Sequence, residues 1–333
     1  MPTPANRGTR QTEPGVEPPA ENGPGETMSE RSELPEYPQF TPLGREHKGL
    51  LQAAFEAAQP EISEFTFAYQ WIWRSYTHCR LARFRGTIIL LNEAPATGKS
   101  HLLPPLISNL EEAALLIPAA LKEAKDIPAA TFARVPQALA ERLAEQSDIT
   151  ITEEHERADY VYAGEKLRKL PGRLLHRKRN HIQQFRKTFP EARYQDLNPS
   201  LAEECARFCR DWLEKHPKHH LPGLRREVET TVSVLTNYQW LGLRGGALVS
   251  EGDIVAFALG EPLNQDTFVT RVEKANNSLP GAYAVINQEF ARHTAAGFKW
   301  INREQDLGLP GLRQAKKSYY PHHLLRKYRV GLA

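Results

Sequence analysis

The sequence predicts a mixed α+β (α/β) protein built of two halves that follow a short tail. Segments with helical periodicity alternate with short apolar runs in both halves. After the Gly245-Gly246 step, three apolar runs separated by turn residues predict an antiparallel meander. A chain of 333 residues with 40% hydrophobic content is large enough for two domains with real cores. We therefore expect a tail over residues 1–40, a first half over residues 41–195 and a second half over residues 196–333.

The tail prediction rests on composition. Residues 1–40 contain eight prolines, four glycines and seven glutamates, with almost no aliphatic side chains. Such a segment buries too little apolar surface to offset the entropy lost on ordering. We therefore predict that residues 1–40 are disordered.

The first half reads as alternating helices and strands. Ser63 is the predicted N-cap of a helix with an aromatic stripe, because Phe65, Tyr69, Trp73 and Tyr76 follow at helical spacing. The other predicted elements are helices 50–58, 110–125 (interrupted at Pro118) and 137–146, and strands 81–84, 87–91, 131–135, 149–152 and 158–162.

Two motifs in the chain suggest chemistry that their details disfavour. Residues 96–100 read as the end of a phosphate-binding loop, but Glu93 occupies the position of its first glycine and Pro95 lacks an amide donor. We predict a hairpin turn there. Cys205 and Cys209 precede two histidines, His216 and His219, at a spacing unlike that of structural zinc sites, and both cysteines fall on an apolar helix stripe. We predict core thiols and no metal.

The second half begins with helices and continues with strands. Asn198 is the predicted cap of the helix that carries Cys205 and Cys209. The remaining predicted elements are helix 221–241, strands 247–250, 254–259 and 267–272, a helix 282–295 that opens at Pro280-Gly281, and strand 298–302.

A long basic run separates the two halves. Residues 166–187 contain nine lysines and arginines and no acid. Apolar residues give the run one buried helix face, while Arg173, Arg177, Lys178 and Arg186 are expected to face solvent. A helix of one charge sign favours phosphate backbones through counterion release, so we predict contact with nucleic acid. An anionic membrane surface is the competing partner.

The stretch over residues 300–321 contains the predicted site. Asn302, Arg303, Glu304, Gln305 and Asp306 are five polar residues in a row. If the chain stays extended there, Asn302, Glu304 and Asp306 share one wall because strand side chains alternate. A turn rich in glycine and proline then leads into a cationic helix.

This stretch, together with residues 63–74, 158–185 and 272–291, resembles the phosphatidylglycerol lysyltransferase C-terminal domain family, over roughly residues 40–333. The resemblance implies a tandem GNAT-like acyltransferase fold whose two halves pack as a pseudo-dimer. It also implies an aminoacyltransferase that uses aminoacyl-tRNA as its donor substrate, with no further cofactor. The acceptor would be a hydroxyl or amine of a lipid head group or small molecule, and the basic helix would contact tRNA.

Residue roles follow from the needs of that reaction. The donor's ammonium group requires a carboxylate, and the ribose leaving group lies beside phosphates that require cations. One carboxylate of the polar run would hold the ammonium and another would take the acceptor's proton. The predicted catalytic residues are Glu304, Asp306, Lys316 and Arg303, and the predicted substrate-binding residues are Glu273, Lys274, Asn276, Asn302 and Tyr319.

Two other functional classes compete with this one. An acyl-CoA-dependent N-acyltransferase would hold pyrophosphate on backbone amides before a helix, but the loop at residues 276–282 has one Gly-Ala step and a proline without a donor. A non-catalytic RNA- or membrane-binding protein would use the charged residues as structural ion pairs. The absence of an apolar run near 20 residues and the three cysteines predict a cytoplasmic protein without a membrane-spanning segment.

Overall fold

A computed structural model describes residues 33–94, 98–124, 127, 130–215 and 220–333. Residues Leu34–Ala333 form one compact unit. The helices are α1 (Lys48–Ala58), α2 (Phe67–Thr77), α3 (Leu110–Glu123), α4 (Gln137–Leu143), α5 (Gly164–Lys169), α6 (His176–Thr188), α7 (Pro199–Lys215), α8 (Pro222–Leu241), α9 (Ala282–Arg292) and α10 (Pro310–Lys317). The strands are β1 (Thr41–Pro42), β2 (Arg80–Phe84), β3 (Thr87–Ala94), β4 (Lys99–Leu103), β5 (Phe132–Pro136), β6 (Ile149–Glu153), β7 (Asp159–Ala163), β8 (Arg193–Asp196), β9 (Arg244–Ser250), β10 (Asp253–Pro262), β11 (Thr267–Ala275), β12 (Trp300–Asn302), β13 (His323–Leu325) and β14 (Lys327–Leu332).

The strands form two mixed sheets of seven strands each. The first sheet has the order β1-β2-β3-β4-β5-β14-β6, and the second has the order β13-β7-β12-β11-β10-β9-β8. Each sheet contains one parallel pair, β4 with β5 and β11 with β12, among antiparallel neighbours. The meander predicted after Gly245-Gly246 is β9, β10 and β11, since β10 pairs antiparallel with both of the others.

The sheets do not divide the chain between residues 195 and 196, where the sequence placed the boundary of its halves. Strand β7 lies in the second sheet between β12 and β13, and β14 returns to the first sheet between β5 and β6. The chain therefore crosses to the second sheet at residues 154–158 and crosses back at residue 326. Local periodicity identifies a strand but not its partner, so it does not reveal this exchange.

Alternating side chains supply the core on both faces of each sheet. One cluster joins Leu81 and Leu90 of the first sheet to Ala247 and Phe257 of the second, with helices α1, α2, α7 and α8 between them. A second cluster covers the other face of the second sheet with α5, α6 and α9. A third covers the other face of the first sheet with α3 and α4. The two sheets thus share one core.

The end of the predicted disordered tail is ordered. Leu34 and Tyr37 are buried, and Tyr37 donates a hydrogen bond to the carbonyl oxygen of Ala120 at 2.7 Å. The amide of Arg83 donates to the carbonyl oxygen of Pro35 at 2.8 Å. The boundary at residue 40 was therefore too late, because two buried side chains suffice to hold this short segment. Residues 1–32, to which the rest of that prediction applies, lie outside the described residues.

One local helix prediction is confirmed and two are corrected. Asn198 caps α7, since its Oδ1 accepts from the Leu201 amide at 3.0 Å. Thr66, not Ser63, caps α2 by accepting from the Tyr69 amide at 3.1 Å. Helix α3 continues through Pro118, whose ring is buried in the core.

The two disfavoured motifs behave as core and hairpin elements. Strands β3 and β4 pair in a hairpin register up to Ala94 and Lys99, although residues 95–97 of the turn lie outside the described residues. Cys205 and Cys209 are buried free thiols, and burial raises the pKa of Cys209 to about 12. His216 and His219 are not among the described residues. In the described parts of the chain, no helix combines the length and apolar character needed to cross a bilayer.

Candidate active site between two parting strands

The candidate site lies where the parallel strands β11 and β12 separate. Their ladder pairs Thr267 with Trp300 and ends at the pair of Val269 with Asn302. Strand β12 ends there, while β11 continues to Ala275. The carboxyl ends of parallel strands are where open sheets bind ligands, because strands that part leave a crevice between them. We call this crevice the gap.

Two ion pairs of opposite sense cross the gap. Arg271 of β11 donates from Nη1 to Oε1 of Glu304 at 2.6 Å. Arg303 donates from Nη2 to Oε1 of Glu273, on β11, at 2.9 Å. Arg271 is the extra residue of a β-bulge, since Leu259 pairs with Val272 and Gly260 pairs with Thr270. A bulge re-aims a side chain, which explains why Arg271 and Glu273, two residues apart, face different surroundings.

Arg271 is shared between two carboxylates. Its side chain is 3% exposed, and its Nε donates to Oε1 of Glu261 at 2.8 Å while Nη2 donates to Thr66 Oγ1 at 2.7 Å. Glu304 Oε2, by contrast, accepts no hydrogen bond from the described residues. Burial raises the pKa of Glu304 against the opposing effect of Arg271. A carboxylate with one unused oxygen and a raised pKa is suited to accept a proton.

On the other side of the gap, Arg303, Glu273, Asn287, Tyr319 and Lys178 form what we call the Arg303 cluster. Asn287 of α9 donates from Nδ2 to Oε2 of Glu273 at 3.0 Å. Two other polar atoms of the cluster, Nη1 of Arg303 and Oδ1 of Asn287, are buried without a hydrogen-bond partner among the described residues. Buried polar atoms normally have partners, so this cluster has one donor and one acceptor available for a ligand.

The Arg303 cluster carries excess positive charge. The ammonium nitrogen of Lys178 lies 4.1 Å from the centroid of the Tyr319 ring, and the guanidinium carbon of Arg303 lies 5.0 Å from it. Burial, together with the nearby charge of Arg303, lowers the pKa of Lys178 to about 8. Burial also opposes the charged form of Arg303, but Glu273 raises its pKa and keeps the guanidinium protonated. The cluster therefore suits an oxygen that is negative or becomes negative.

The polar run that follows β12 is a loop and not an extended strand. Glu304 and Leu307 have φ angles of 55° and 54°, in the left-handed region. Lys316 lies beneath this loop and donates from Nζ to the carbonyl oxygens of Arg303, Glu304 and Gln305 at 2.5, 3.0 and 2.6 Å. Burial lowers the pKa of Lys316 to about 8. Lys316, predicted to be catalytic, instead supports the loop, because its ammonium donates to three backbone carbonyl oxygens.

Asp306 does not share a wall with Glu304. It accepts from the Tyr160 hydroxyl at 2.7 Å, from Arg313 Nε at 2.7 Å and from the Gly308 amide at 2.9 Å. The Arg313 hydrogen bond lowers the pKa of Asp306 below its usual range. The left-handed turn at Glu304 breaks the strand alternation on which the prediction relied. Asp306 thus secures the turn into α10.

Asn302 is part of a buried network between the sheets, which we call the inter-sheet network: Ser63, Glu64, Asp159, Asn302 and Lys327. Asn302 accepts from the Glu304 amide at 2.8 Å and donates to Asp159 Oδ2 at 3.0 Å. Lys327 of β14 donates to Asp159 Oδ1 at 2.7 Å and to Glu64 Oε2 at 2.5 Å. Although burial opposes it, Lys327 lowers the pKa of Asp159. Asn302 therefore positions the backbone of Glu304 from the scaffold.

The sequence and the fold agree with one family. Residues 55–331 match the family model described as phosphatidylglycerol lysyltransferase, C-terminal. The chain belongs to this family. No curated protein matches the sequence. The family and its fold make the protein a transferase of the acyl- or aminoacyl-transferring kind.

Solved structures of similar fold support the assignment. A conserved protein of unknown function from Bacteroides thetaiotaomicron is 30% identical, with a TM-score of 0.82 over 88% of this chain and 99% of that one. L-PGS from Bacillus licheniformis has a TM-score of 0.60 at 14% identity, over 90% and 94% of the chains. The C-terminal domain of a putative lysylphosphatidylglycerol synthetase from Agrobacterium fabrum has a TM-score of 0.59 at 12% identity, over 86% and 92%. The predicted tandem GNAT-like α+β fold is confirmed.

Two of the residues predicted to bind substrate, Lys274 and Asn276, point away from the gap. Lys274 donates from Nζ to Glu227 Oε1 of α8 at 2.5 Å. Asn276 accepts from the amide and hydroxyl of Ser278 at 3.0 and 2.7 Å and shapes the loop before α9. Both side chains therefore bind partners outside the gap and do not contribute to it.

The four residues predicted to bind tRNA divide into two groups. Arg173 and Arg177 are exposed near the start of α6. Lys178 turns inward to the Arg303 cluster, and Arg186 pairs with Glu289 of α9 at 2.5 Å. A contact with phosphate remains a prediction for all four residues. It is most direct for Arg173 and Arg177, because their side chains face solvent, whereas Lys178 and Arg186 have partners within the protein.

The start of α9 is the place where a GNAT enzyme would hold the pyrophosphate of coenzyme A. Gly281 has a φ of 94°, and a Cβ there would lie 2.5 Å from the carbonyl oxygen of His181. Helix α6 therefore packs directly against this helix start. The Ala282 and Ala284 amides donate to carbonyl oxygens of Leu279 and Gly281 at 3.2 and 2.9 Å. This arrangement leaves little room for pyrophosphate.

Sequence reasoning missed several residues of the candidate site and its scaffold. Arg271 is a charge inside an apolar strand and Asn287 a polar residue inside an apolar helix, so both carried a signal that could have been used. Asp159 and Lys327 carried none, because their pairing depends on the strand exchange between the sheets. Within the described residues, no group of three histidine, cysteine or carboxylate side chains is arranged to hold a metal ion.

Proposed function

We propose that the protein transfers an aminoacyl group from aminoacyl-tRNA to a hydroxyl or amine acceptor, on a lipid head group or a small molecule, at the gap between β11 and β12. One observation carries this proposal. Buried polar atoms without partners, Arg303 Nη1 and Asn287 Oδ1, flank one side of the gap, and a carboxylate with an unused oxygen, Glu304, flanks the other. An aminoacyl ester supplies the groups that these atoms lack.

The donor would bind through its ammonium and carbonyl groups. Its α-ammonium would donate to Asn287 Oδ1 and lie beside the carboxylate of Glu273, which prevents a buried unpaired cation. Its ester carbonyl oxygen would accept from Arg303 Nη1. Because negative charge grows on that oxygen during attack, a fixed guanidinium stabilises the tetrahedral intermediate without reorganising.

Glu304 would carry the proton. Its carboxylate removes the proton from the acceptor hydroxyl or amine as the acceptor atom bonds to the ester carbon. When the intermediate collapses, the bond from that carbon to the ribose oxygen of tRNA breaks. The ribose oxygen then takes the proton back from Glu304, so the carboxylate is regenerated.

The nucleic-acid part of the donor would meet cations. Arg173 and Arg177, exposed near the start of α6, and Lys178 of α6, which lies in the Arg303 cluster, provide positive charge for phosphates near the ester. The family's name makes phosphatidylglycerol the first acceptor to test. The acyl-CoA alternative is less favoured, because α6 covers the start of α9.

The test measures which donor is consumed. The purified protein is incubated with radiolabelled aminoacyl-tRNAs, one amino acid at a time, and with phosphatidylglycerol or small amines as acceptors. We expect label to move from aminoacyl-tRNA to an acceptor, and Glu304→Gln to slow this by roughly 10²–10³ at unchanged thermal stability. The matched control is Glu227→Gln, which breaks an ion pair away from the gap. Turnover of an amine with acetyl-CoA but not aminoacyl-tRNA, or full activity of Glu304→Gln, would overturn the proposal.

A further inference from the structure

Three leucines project from the surface where the site loop enters α10. Leu307, Leu309 and Leu312 are 50%, 55% and 36% exposed, and we call them the leucine ridge. Single exposed leucines are common on protein surfaces, but three within six residues form an apolar patch. Such patches mark interaction surfaces more often than folding elements.

The ridge residues do not serve the local backbone. Leu307 has a φ of 54°, a conformation that asparagine or glycine adopts more easily than leucine. Leu309 is the N-cap of α10 and provides no side-chain hydrogen bond, where serine or aspartate would stabilise the helix. Leucine is thus unfavourable at both positions for folding alone, which points to a role in contact with a partner.

The surroundings of the ridge are cationic. Residues 307–333 contain no aspartate or glutamate, and Lys317 lies on α10 itself, where Arg313 is paired with Asp306. The end of α10 adjoins the acid-free run of α5 and α6. Lys178 lies over the Tyr319 ring, and Lys166 lies 5.7 Å from the centroid of the half-exposed Tyr320 ring. One carboxylate, that of Glu156, approaches the ridge at Gly308.

We propose that the leucine ridge docks the protein onto an anionic lipid bilayer. The three leucines would enter the boundary between head groups and acyl chains, and Lys317 of α10 and the exposed cations of α6 would face anionic head groups. Interfacial binding requires these two signals, apolar area and positive charge, because either alone gives weak and reversible attachment. Exposed tyrosine is also common at the head-group level.

A bilayer fits this surface better than a nucleic acid does. A phosphate backbone needs cations, and it gains nothing from leucines that stay in water. The ridge also begins directly after Asp306, so docking would bring lipid head groups close to the gap. In this respect the inference rests on the proposed function, since it places the acceptor in a membrane surface.

The first experiment measures partitioning onto vesicles. The full chain is sedimented with vesicles of phosphatidylcholine alone or mixed with phosphatidylglycerol. The test variant carries Leu307→Asn, Leu309→Ser and Leu312→Gln, which suit the left-handed turn, the N-cap and the helix respectively. The control carries Leu110→Gln and Leu115→Gln on α3, where two leucines are exposed by 42% and 73%.

We expect the wild type and the control to bind the phosphatidylglycerol vesicles, and the ridge variant to bind them at least about tenfold more weakly. Equal binding by the ridge variant, or no vesicle binding by the wild type, would overturn the docking proposal. Binding that is lost only on reversal of Arg173 and Arg177 to glutamate, and that tRNA competes away, would assign the surface to tRNA.

A second experiment separates docking from catalysis. Aminoacyl transfer is measured to water-soluble dihexanoylphosphatidylglycerol and to phosphatidylglycerol in vesicles. We expect the ridge variant to keep transfer to the soluble lipid and to lose transfer to vesicles. If neither the wild type nor the ridge variant transfers to any lipid, but the wild type still binds vesicles more tightly, the docking proposal stands and the proposed function fails. If both transfer equally well to vesicles, the docking proposal fails and the function stands.

Discussion

The inter-sheet network and the Arg303 cluster both bury charged side chains, but they differ in how completely those charges are paired. Asp159 and Lys327 are fully buried, and each oxygen of Asp159 accepts two hydrogen bonds. In the Arg303 cluster, Nη1 of Arg303 and Oδ1 of Asn287 have no partner among the described residues. Glu64 Oε1 of the inter-sheet network accepts no hydrogen bond either, but it lies 3.1 Å from Nε of Arg134. The protein thus supplies an ionic partner for every carboxylate of the inter-sheet network, whereas the two atoms of the Arg303 cluster have no partner among the described residues.

This difference separates scaffold from site. A buried polar network whose charges are paired rigidifies the fold. A buried donor or acceptor without a partner destabilises the folded protein until a ligand pairs with it. The inter-sheet network joins β14 of the first sheet to β7 and β12 of the second. The Arg303 cluster lies where β11 and β12 part, at the carboxyl end of their ladder. The first should therefore control stability, and the second should control transfer.

The largest effect is expected from Lys327→Met. Removing this ammonium leaves Asp159 as a buried carboxylate without a cation and Glu64 with Arg134 alone, and breaking such a buried pair costs about 3–5 kcal/mol. Urea unfolding followed by circular dichroism would measure the decrease in stability. The exposed neighbour Arg326→Met is the control and should change the free energy of unfolding by less than about 0.5 kcal/mol. Wild-type stability in the Lys327 variant would show that the network is not a scaffold.

Arg303→Lys should affect catalysis more than stability. Lysine keeps the charge beside Glu273 but removes the second N–H arm of the guanidinium, so the hydrogen bond to the oxyanion of the transition state can no longer form. We expect kcat to fall roughly 10²–10³ with a smaller change in KM for the donor. Arg292→Lys, which keeps its charge near Glu289, is the matched control. An unchanged kcat would exclude Arg303 from the transition state.

Asp306→Asn sharpens the contrast with Glu304, because Asp306 is completely paired. Weakening the charge-assisted bonds to Arg313 should lower stability by much less than Lys327→Met does, because Arg313 is 41% exposed and solvent screens the pair, and should leave transfer nearly unchanged. The folded pKa of Asp306 is lowered, so its contribution is present above the unfolded pKa of about 3.9 and is lost as pH falls below it. Wild type and variant should therefore approach equal stability in acid. A variant that folds well but transfers poorly would return Asp306 to the catalytic set.

The smallest effect is expected from charge reversal of the exposed Arg173 and Arg177. Arg173→Glu with Arg177→Glu should weaken tRNA retention and reduce the slope of log affinity against log salt by about 1 for each of these arginines that binds a phosphate. Lys187→Glu, on the same helix but outside the predicted set, is the control. Filter binding across a salt series measures both quantities. An unchanged slope would mean that these arginines do not contact phosphate.

The sequence by itself determined the features that depend on near neighbours. Helical and alternating periodicity located α1, α8 and the β9–β11 meander, and Asn198 and Gly281 indicated where two helices begin. The polar run after β12 identified Arg303 and Glu304 as residues of interest. These features follow from side-chain spacing, capping and turn chemistry, all of which act within a few residues.

Only the tertiary structure decided how those residues are used. The exchange of β7 and β14 creates the inter-sheet network, and the bulge at Arg271 turns its side chain to Glu304. Lys316 supports the loop and does not face the gap, because three carbonyl oxygens surround its ammonium. Each of these outcomes depends on partners that are distant in the chain. The pairing register and burial that bring such partners together are set by the packing of the whole fold and not by local sequence.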